Sequence, residues 1–167
     1  MTRAILVLLA LLLLLAPNVG AQETPRMGGV LKVATIGEPP TLDMPMSTAT
    51  IRYEIMWHVN ETLFTYDAGF NPVPLLADTH TITDGGRKHT ITLRRGVKFH
   101  NGKEMTSADV VPSLKRWGQV ASLGKSLWAN VESIEAKDGY TVVLSLKQPS
   151  ASVLFGLAEP HGTVLPK

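Results

Sequence analysis

Two histidines, His80 and His89, and three spaced carboxylates, Glu61, Asp67 and Asp78, are the side chains of this 167-residue chain best suited to hold a metal or move a proton. The histidines flank Asp84-Gly85-Gly86, a turn that predicts a hairpin with the two imidazoles as cross-strand neighbours. Two imidazoles with no nearby carboxylate and no His-x-x-x-His spacing make a poor metal site, and polar residues on a hairpin are the simpler reading. His58, His100 and His161 lie apart in sequence and suggest no site of their own. The carboxylates are no denser than in any soluble domain. The sequence has no Gly-x-Ser-x-Gly, no Walker loop and no Gly-x-Gly-x-x-Gly. Cysteine is absent, which removes thiol catalysis, disulfides and thiolate metal sites together. These observations argue against an enzyme and imply no cofactor and no metal.

Charge narrows the partners. Sixteen basic and 14 acidic residues leave a net charge of +2, spread along the chain, which argues against nucleic acid. The densest basic patch, Arg94-Arg95 with Lys98, reads as a solvated strand end. At the N-terminus Arg3 precedes an unbroken apolar run from Ile5 to Leu15, then Pro17 and the small residues Val19-Gly20-Ala21. That is the pattern of a secretory signal peptide over 1–21, cleaved after Ala21. The run falls short of the roughly 20 apolar residues a membrane span needs. Without a cysteine at the cleavage point a lipid anchor is excluded, so the expected product is soluble, exported to the periplasm and free of a stable membrane anchor. Residues 22–27, with Pro25, read as a flexible tether, leaving 28–167 to fold.

The elements that must position any site follow from periodicity. Val30 to Thr35 alternates as a strand, and Ile36 to Asp43, with Pro39-Pro40, is an extended loop. Ile51, Ile55, Val59 and Leu63 predict a helix from Thr50 to Leu63, with Met56 and Trp57 beside its core stripe. His80–Thr83 and Lys88–Leu93 form the hairpin already noted. Within Thr90 to Trp117, a strand over 90–93 is followed by Arg94-Arg95-Gly96, an extended run over 97–100, and a tight reversal at Asn101-Gly102. A helix then starts at Thr106, capped reciprocally by Asp109. Pro112 lies beyond its first turn and predicts a kink. Val131–Ala136 and Tyr140–Leu146 make a second hairpin about Asp138-Gly139, with Tyr140, Val142, Leu144 and Leu146 on one face. Ser150–Leu157 reads as a short helix and Gly162–Lys167 as extended chain.

The stretch from Leu93 to Arg116 resembles the segment that marks family 5 of the bacterial extracellular solute-binding proteins, the peptide and nickel binders of ABC importers. Leu93, Arg94, Gly96, Val97, Lys98, Phe99, His100, Gly102, Thr106, Asp109, Val110, Val111, Ser113, Leu114, Lys115 and Arg116 match in register. Gly28-Gly29 with Glu38-Pro39-Pro40-Thr41-Leu42-Asp43 resembles a second family block, and Glu61–Asp67 and Asn71–Asp78 two more. Asn60, Thr62 and Pro112 depart from the usual pattern. The resemblance runs from Gly28 to Lys167 and corresponds to roughly the first third of a usual member.

That resemblance implies an α+β fold, a mixed sheet with hairpins and two main helices, equivalent to the N-terminal part of a type II-like periplasmic binding lobe. It implies capture of a peptide or similarly extended solute, with the ABC transporter membrane subunits as partners. Peptide, nickel chelate, sugar and opine ligands all remain open. The loop after Asp43 is the piece expected to face ligand, which makes Thr48, Ala49 and Thr50, with Tyr53 and Trp57 behind them, the candidate ligand-binding residues. The competing reading is that they pack or cap the helix, with Thr50 as its N-cap. So short a chain is expected to act as a fragment of a binder. The alternative is a small periplasmic module that contacts the transporter's membrane subunits without binding solute.

Overall fold

A computed structural model describes residues 27–167, and the chain divides into two compact units after Ala34. The expected signal peptide and all of the tether except Met27 lie outside the described residues. In the first unit, residues 27–34 carry no helix or strand. The strand expected over Val30–Thr35 is therefore not found. Alternation makes a strand only where a neighbour supplies the ladder, and no ladder includes these residues.

The second unit is built on an antiparallel sheet. Strands β3 (Ala77–Thr83), β4 (Lys88–Leu93), β5 (Val131–Asp138) and β6 (Thr141–Leu146) lie in the order β3-β4-β6-β5. A separate two-stranded ribbon joins β1 (Phe64–Tyr66) to β2 (Pro72–Pro74). Every ladder among the described residues is antiparallel, which narrows the expected mixed sheet while keeping the α+β class. Both hairpins form as the turn residues indicated, the second with its reversal at Gly139-Tyr140. Period-2 burial sets the core face: His89, Ile91 and Leu93 of β4 lie beside Val142, Leu144 and Leu146 of β6.

Four α-helices accompany the sheet: α1 (Thr50–Met56), α2 (Ser107–Val120), α3 (Ser122–Trp128) and α4 (Ser152–Ala158). Val110, Leu114 and Trp117 recur every three to four residues on α2 and are buried against β5 and β6. Thr106 and Asp109 form the reciprocal capping box, the Thr106 amide donating to Asp109 Oδ2 at 3.0 Å. The tight reversal at Asn101-Gly102 also stands, with Gly102 at φ 83 and a bridge pairing Lys98 with Glu104. Helix α2 continues through Pro112 as one element from Ser107 to Val120. Pro112 and Ala108 are both exposed, so water can satisfy the Ala108 carbonyl that proline leaves without a donor.

Two departures have a packing cause. Helix α1 ends at Met56, well before the expected Leu63. The stripe breaks because Leu63 is claimed by extended pairing: its carbonyl accepts the amides of Leu75 and Ala77, each at 3.0 Å, and the Thr62 carbonyl accepts Leu76 at 3.2 Å. Helix α3 has no counterpart among the elements expected from periodicity, and Gly124 stands at its centre. That glycine is required by proximity: a Cβ there would stand 2.2 Å from the Trp117 carbonyl oxygen. Replacing Gly124 with Ala would force backbone apart at the α2–α3 junction. We expect Gly124→Ala to destabilise the fold by about 1–3 kcal/mol in urea unfolding, whereas Gly139→Ala, with nothing within 4 Å of its Cβ, leaves the midpoint in place.

The buried Asp109 carboxylate gathers donors from three residues, Lys103, Thr106 and Lys167. Burial by itself raises its pKa, but donors from Lys103 Nζ at 2.7 Å, the Lys167 amide at 2.9 Å and Thr106 outweigh that and hold it at about 2. A folded-state pKa below the unfolded value means stability that is present above about pH 4 and lost as pH falls through about 2. The contribution is about 2 kcal/mol at neutral pH. The unfolding free energies of the native chain and Asp109→Asn should therefore converge by about that amount between pH 6 and pH 2.

Candidate functional site

A groove of about 910 Å³ lies between α1, the β1–β2 ribbon and α4. Each wall is set by local structure. Tyr53 and Trp57 lie one helical repeat apart at the end of α1, their rings 5.8 Å apart. Tyr66 comes from β1 and Phe155 from α4, with ring centroids 6.3 Å apart. Phe70 comes from the reversal between β1 and β2, where Asp67 Oδ1 accepts the amides of Gly69 at 2.8 Å and Asn71 at 2.9 Å. The bonds from Asn71, with a smaller share from Gly69, lower the Asp67 pKa. Phe70 sits at φ 60, in the left-handed region that bulky side chains avoid. Trp57, Phe70 and Phe155, all lining the groove, are 64%, 77% and 48% exposed.

Carboxylates edge this surface. The Tyr66 hydroxyl donates to the Phe155 carbonyl at 2.8 Å and lies 3.3 Å from Glu159 Oε1. Burial, together with the charge of Glu159, pushes the Tyr66 pKa up to about 12, so the phenol stays protonated. Burial likewise raises Tyr53, with Arg52 opposing and Glu159 reinforcing the shift. His161 Nε2 lies 2.7 Å from the Tyr53 hydroxyl and 3.2 Å from the Ser47 carbonyl. A carbonyl only accepts, so Nε2 carries the proton. Burial, then the nearby Arg52, lowers the His161 pKa and keeps it neutral.

Beneath Tyr53, the buried Arg52 donates through Nη1 to the carbonyls of Asp43, at 3.1 Å, and Met44. Its guanidinium also stacks on the Tyr53 ring at 4.7 Å. The Asp43 carboxylate is taken from the other side by Arg116, whose Nη1 donates to Oδ1 at 3.0 Å. The loop at 43–46 is thus clamped between α1 and α2, and it presents Met44 to the groove.

Of the residues expected from sequence, Tyr53 and Trp57 line the groove, whereas Thr48, Ala49 and Thr50 do not. Thr48 and Thr50 are exposed at the head of α1, and the N-cap is Ala49 rather than Thr50. Tyr66, Phe70, Phe155 and Glu159 were missed. The one local signal was an exposed aromatic next to Gly69 in a turn; the other three meet only in the fold. The histidine pair is real but diagonal: the register sets His80 opposite Ile91 and His89 opposite Ile82, with His80 Nε2 3.0 Å from His89 Nδ1. No group of three or more metal-ligating side chains occurs among the described residues. Arg94, Arg95 and Lys98 are exposed, as expected of a strand end. The loop from Val97 to Asn101 lines a second cavity of about 520 Å³, which shares Trp57, Asn60 and Glu61 with the first.

Comparison with known proteins places this geometry. The family model for bacterial extracellular solute-binding proteins, family 5 Middle, matches residues 71–167. The chain is 34% identical over 131 residues to a probable peptide ABC transporter periplasmic-binding protein of Sinorhizobium fredii, covering 78% of this chain and 23% of that protein. It is 32% identical over 122 residues to the glutathione-binding protein GsiB of Escherichia coli (strain K12), covering 72% and 24%. Among solved structures, it resembles the periplasmic binding protein AgaA from A.tumefacien R10, in complex with agropinic acid, with TM-score 0.68 and 31% identity over 78% of this chain and 27% of that one. It resembles AppA from Bacillus subtilis, in complex with a nonapeptide, with TM-score 0.68 and 28% identity over 79% and 26%. The chain thus spans about a quarter of the length of the relatives it matches, and those relatives are binding proteins rather than enzymes. No helix among the described residues is long and apolar enough to cross a membrane. With its signature segment, its α+β fold and the family match all coinciding, the chain belongs to family 5 of the bacterial extracellular solute-binding proteins.

Proposed function

We propose that this chain supplies part of the solute-binding cleft of a periplasmic ABC importer component that takes peptides or similarly extended solutes. The carrying observation is the aromatic groove of about 910 Å³, open to solvent and built from three separate elements. Extended ligands bury large areas against such aromatic walls, while a few polar groups at the edge fix their register. The proposed contacts are Tyr53 and Trp57, joined by Tyr66, Phe70 and Phe155. Thr48, Ala49 and Thr50 stand at the head of the same helix, beyond the groove's edge. Similarity to a probable peptide-binding protein supports a peptide-like solute, and the nonapeptide bound by AppA supports an extended one. In this reading residues 1–21 direct export to the periplasm, 22–27 tether, and 28–167 form a partial N-terminal lobe. The membrane subunits of the importer are its partners, and the groove binds without catalysing a reaction.

A piece amounting to about a quarter of its relatives holds only part of the contacts. A micromolar site is worth about 8 kcal/mol, and half of that leaves about millimolar affinity. Titrating the chain with mixed di- to pentapeptides should therefore give no micromolar heat by calorimetry. The Trp57 indole N–H resonance should shift at about millimolar peptide, and Trp57→Ala should weaken binding at the neighbouring Tyr66. Micromolar heat would mean a self-sufficient site. Shifts that avoid the groove would reject it as the contact surface.

A further inference from the structure

The groove carries one chemical bias that its aromatic lining alone does not explain. Its described lining includes three carboxylates, Glu61, Asp67 and Glu159, and no lysine, arginine or histidine. The three are not equivalent. Asp67 is spent within its own turn, accepting amides from Gly69 and Asn71. Glu159 receives no cation and stands beside the Tyr66 hydroxyl at 3.3 Å. Glu61 is exposed, and no described residue donates to its carboxylate; its bonds run through its backbone carbonyl, to Val164 at 3.1 Å and the Thr163 hydroxyl at 3.2 Å. The Arg52 guanidinium is fully buried and turned to the Asp43 and Met44 carbonyls; its charge reaches Tyr53, where it outweighs that of Glu159, but it is not among the influences on Tyr66.

Building on the solute-binding reading, we infer that the groove selects a cationic group, an ammonium or guanidinium carried by the ligand, seated between the exposed aromatic faces and the carboxylates of Glu61 and Glu159. Both halves of the site favour the same sign of charge. Aromatic faces are attracted to a cation within about 6 Å of the ring centroid, most of all tryptophan. A carboxylate with no cation of its own adds a partner that an anionic ligand would meet as repulsion. The negative field of Glu159 acts on Tyr66, whose pKa it helps to raise with no cation opposing it there. Phe70 adds a geometric sign: an exposed aromatic held at φ 60 is a costly arrangement, of the kind that concentrates at ligand-contact surfaces.

The test uses three tripeptides capped at both ends, so that only side chains carry charge: acetyl-Lys-Tyr-Lys-amide, acetyl-Gln-Tyr-Gln-amide and acetyl-Glu-Tyr-Glu-amide. Each is titrated into the chain while the Trp57 indole and Tyr66 amide resonances are followed. The cationic peptide should reach its midpoint at a concentration about tenfold below the neutral one, with the acidic peptide weakest. In the Glu61→Gln/Glu159→Gln double variant that preference should vanish while aromatic binding persists, and the resonances of the β3–β6 sheet confirm that it remains folded. Equal midpoints for the three peptides, or a preference that survives in the double variant, would overturn charge selection while leaving the groove as a solute contact. If no peptide shifts Trp57 or Tyr66, both this inference and the solute-binding reading fail.

Discussion

The burial of Trp117 is the constraint on which the rest of the second unit depends. Its ring is fully enclosed, stands edge-on to Trp128 at a centroid distance of 6.2 Å, and is reached by α3, α4 and the turn at Pro160–Gly162. Such close approach is possible because glycine occupies the contact points. A Cβ at Gly118 would lie 2.3 Å from the Trp128 ring, and one at Gly156 only 2.1 Å from Leu127. The indole N–H of Trp117 has no partner among the described residues, which costs about 1–3 kcal/mol. Burying some 200 Å² of aromatic surface returns about 5 kcal/mol, so enclosure wins. Function follows from this packing. Gly156 seats α4 against α3, and α4 carries Phe155 to the groove, with Glu159 at its C-cap.

A second set of contacts fixes the opposite wall. Asp43 closes one family-like sequence block and Arg116 lies near the end of the other, and the two meet as a bidentate ion pair. With both side chains partly exposed, the pair adds little to stability by itself, about 0–1 kcal/mol. Its value is positional, since Arg52 holds the same loop from α1 through its Asp43 and Met44 carbonyls. A buried guanidinium is expensive unless its donors are used, and two backbone acceptors and the Tyr53 face offset part of that cost. The loop is thereby fixed with Tyr53 and Met44 turned to the groove. Ser47 extends the same network to His161, whose neutral ring receives no carboxylate and so remains a structural donor.

The two walls differ in how they respond to change. The α4 wall rests on steric contact among glycines and tryptophans, which tolerates little volume change. The α1 wall rests on polar contacts to backbone carbonyls, which depend on chain path more than on side-chain volume. Between them the β1–β2 ribbon is short, only three residues per strand. Its shape comes from Asp67 gathering the amides of its own turn. A ribbon so small needs its neighbours, and the Tyr66 hydroxyl bonded to the Phe155 carbonyl provides one such tie.

Local pattern carried much of this fold. The hairpins at Asp84-Gly85-Gly86 and Asp138-Gly139, the capping box of Thr106 and Asp109, the core face of β6 and the family membership were all legible, because each depends on neighbouring residues or on a motif in register. Where a distant segment competes for the backbone, local reading failed. Leu63 fits a helical stripe, yet it pairs with residues 75–77, and α3 is fixed by the close approach of Gly124 to the Trp117 backbone. The groove divides in the same way. Tyr53 and Trp57 share one helix and were foreseeable, whereas Tyr66, Phe70, Phe155 and Glu159 come from elements far apart in sequence. Sequence by itself determined the two hairpins, the capped helix after Thr106 and the family, since turn chemistry, capping and motif register are short-range. Only the tertiary structure decided which side chains share a surface, because that depends on how closely glycine lets those elements pack.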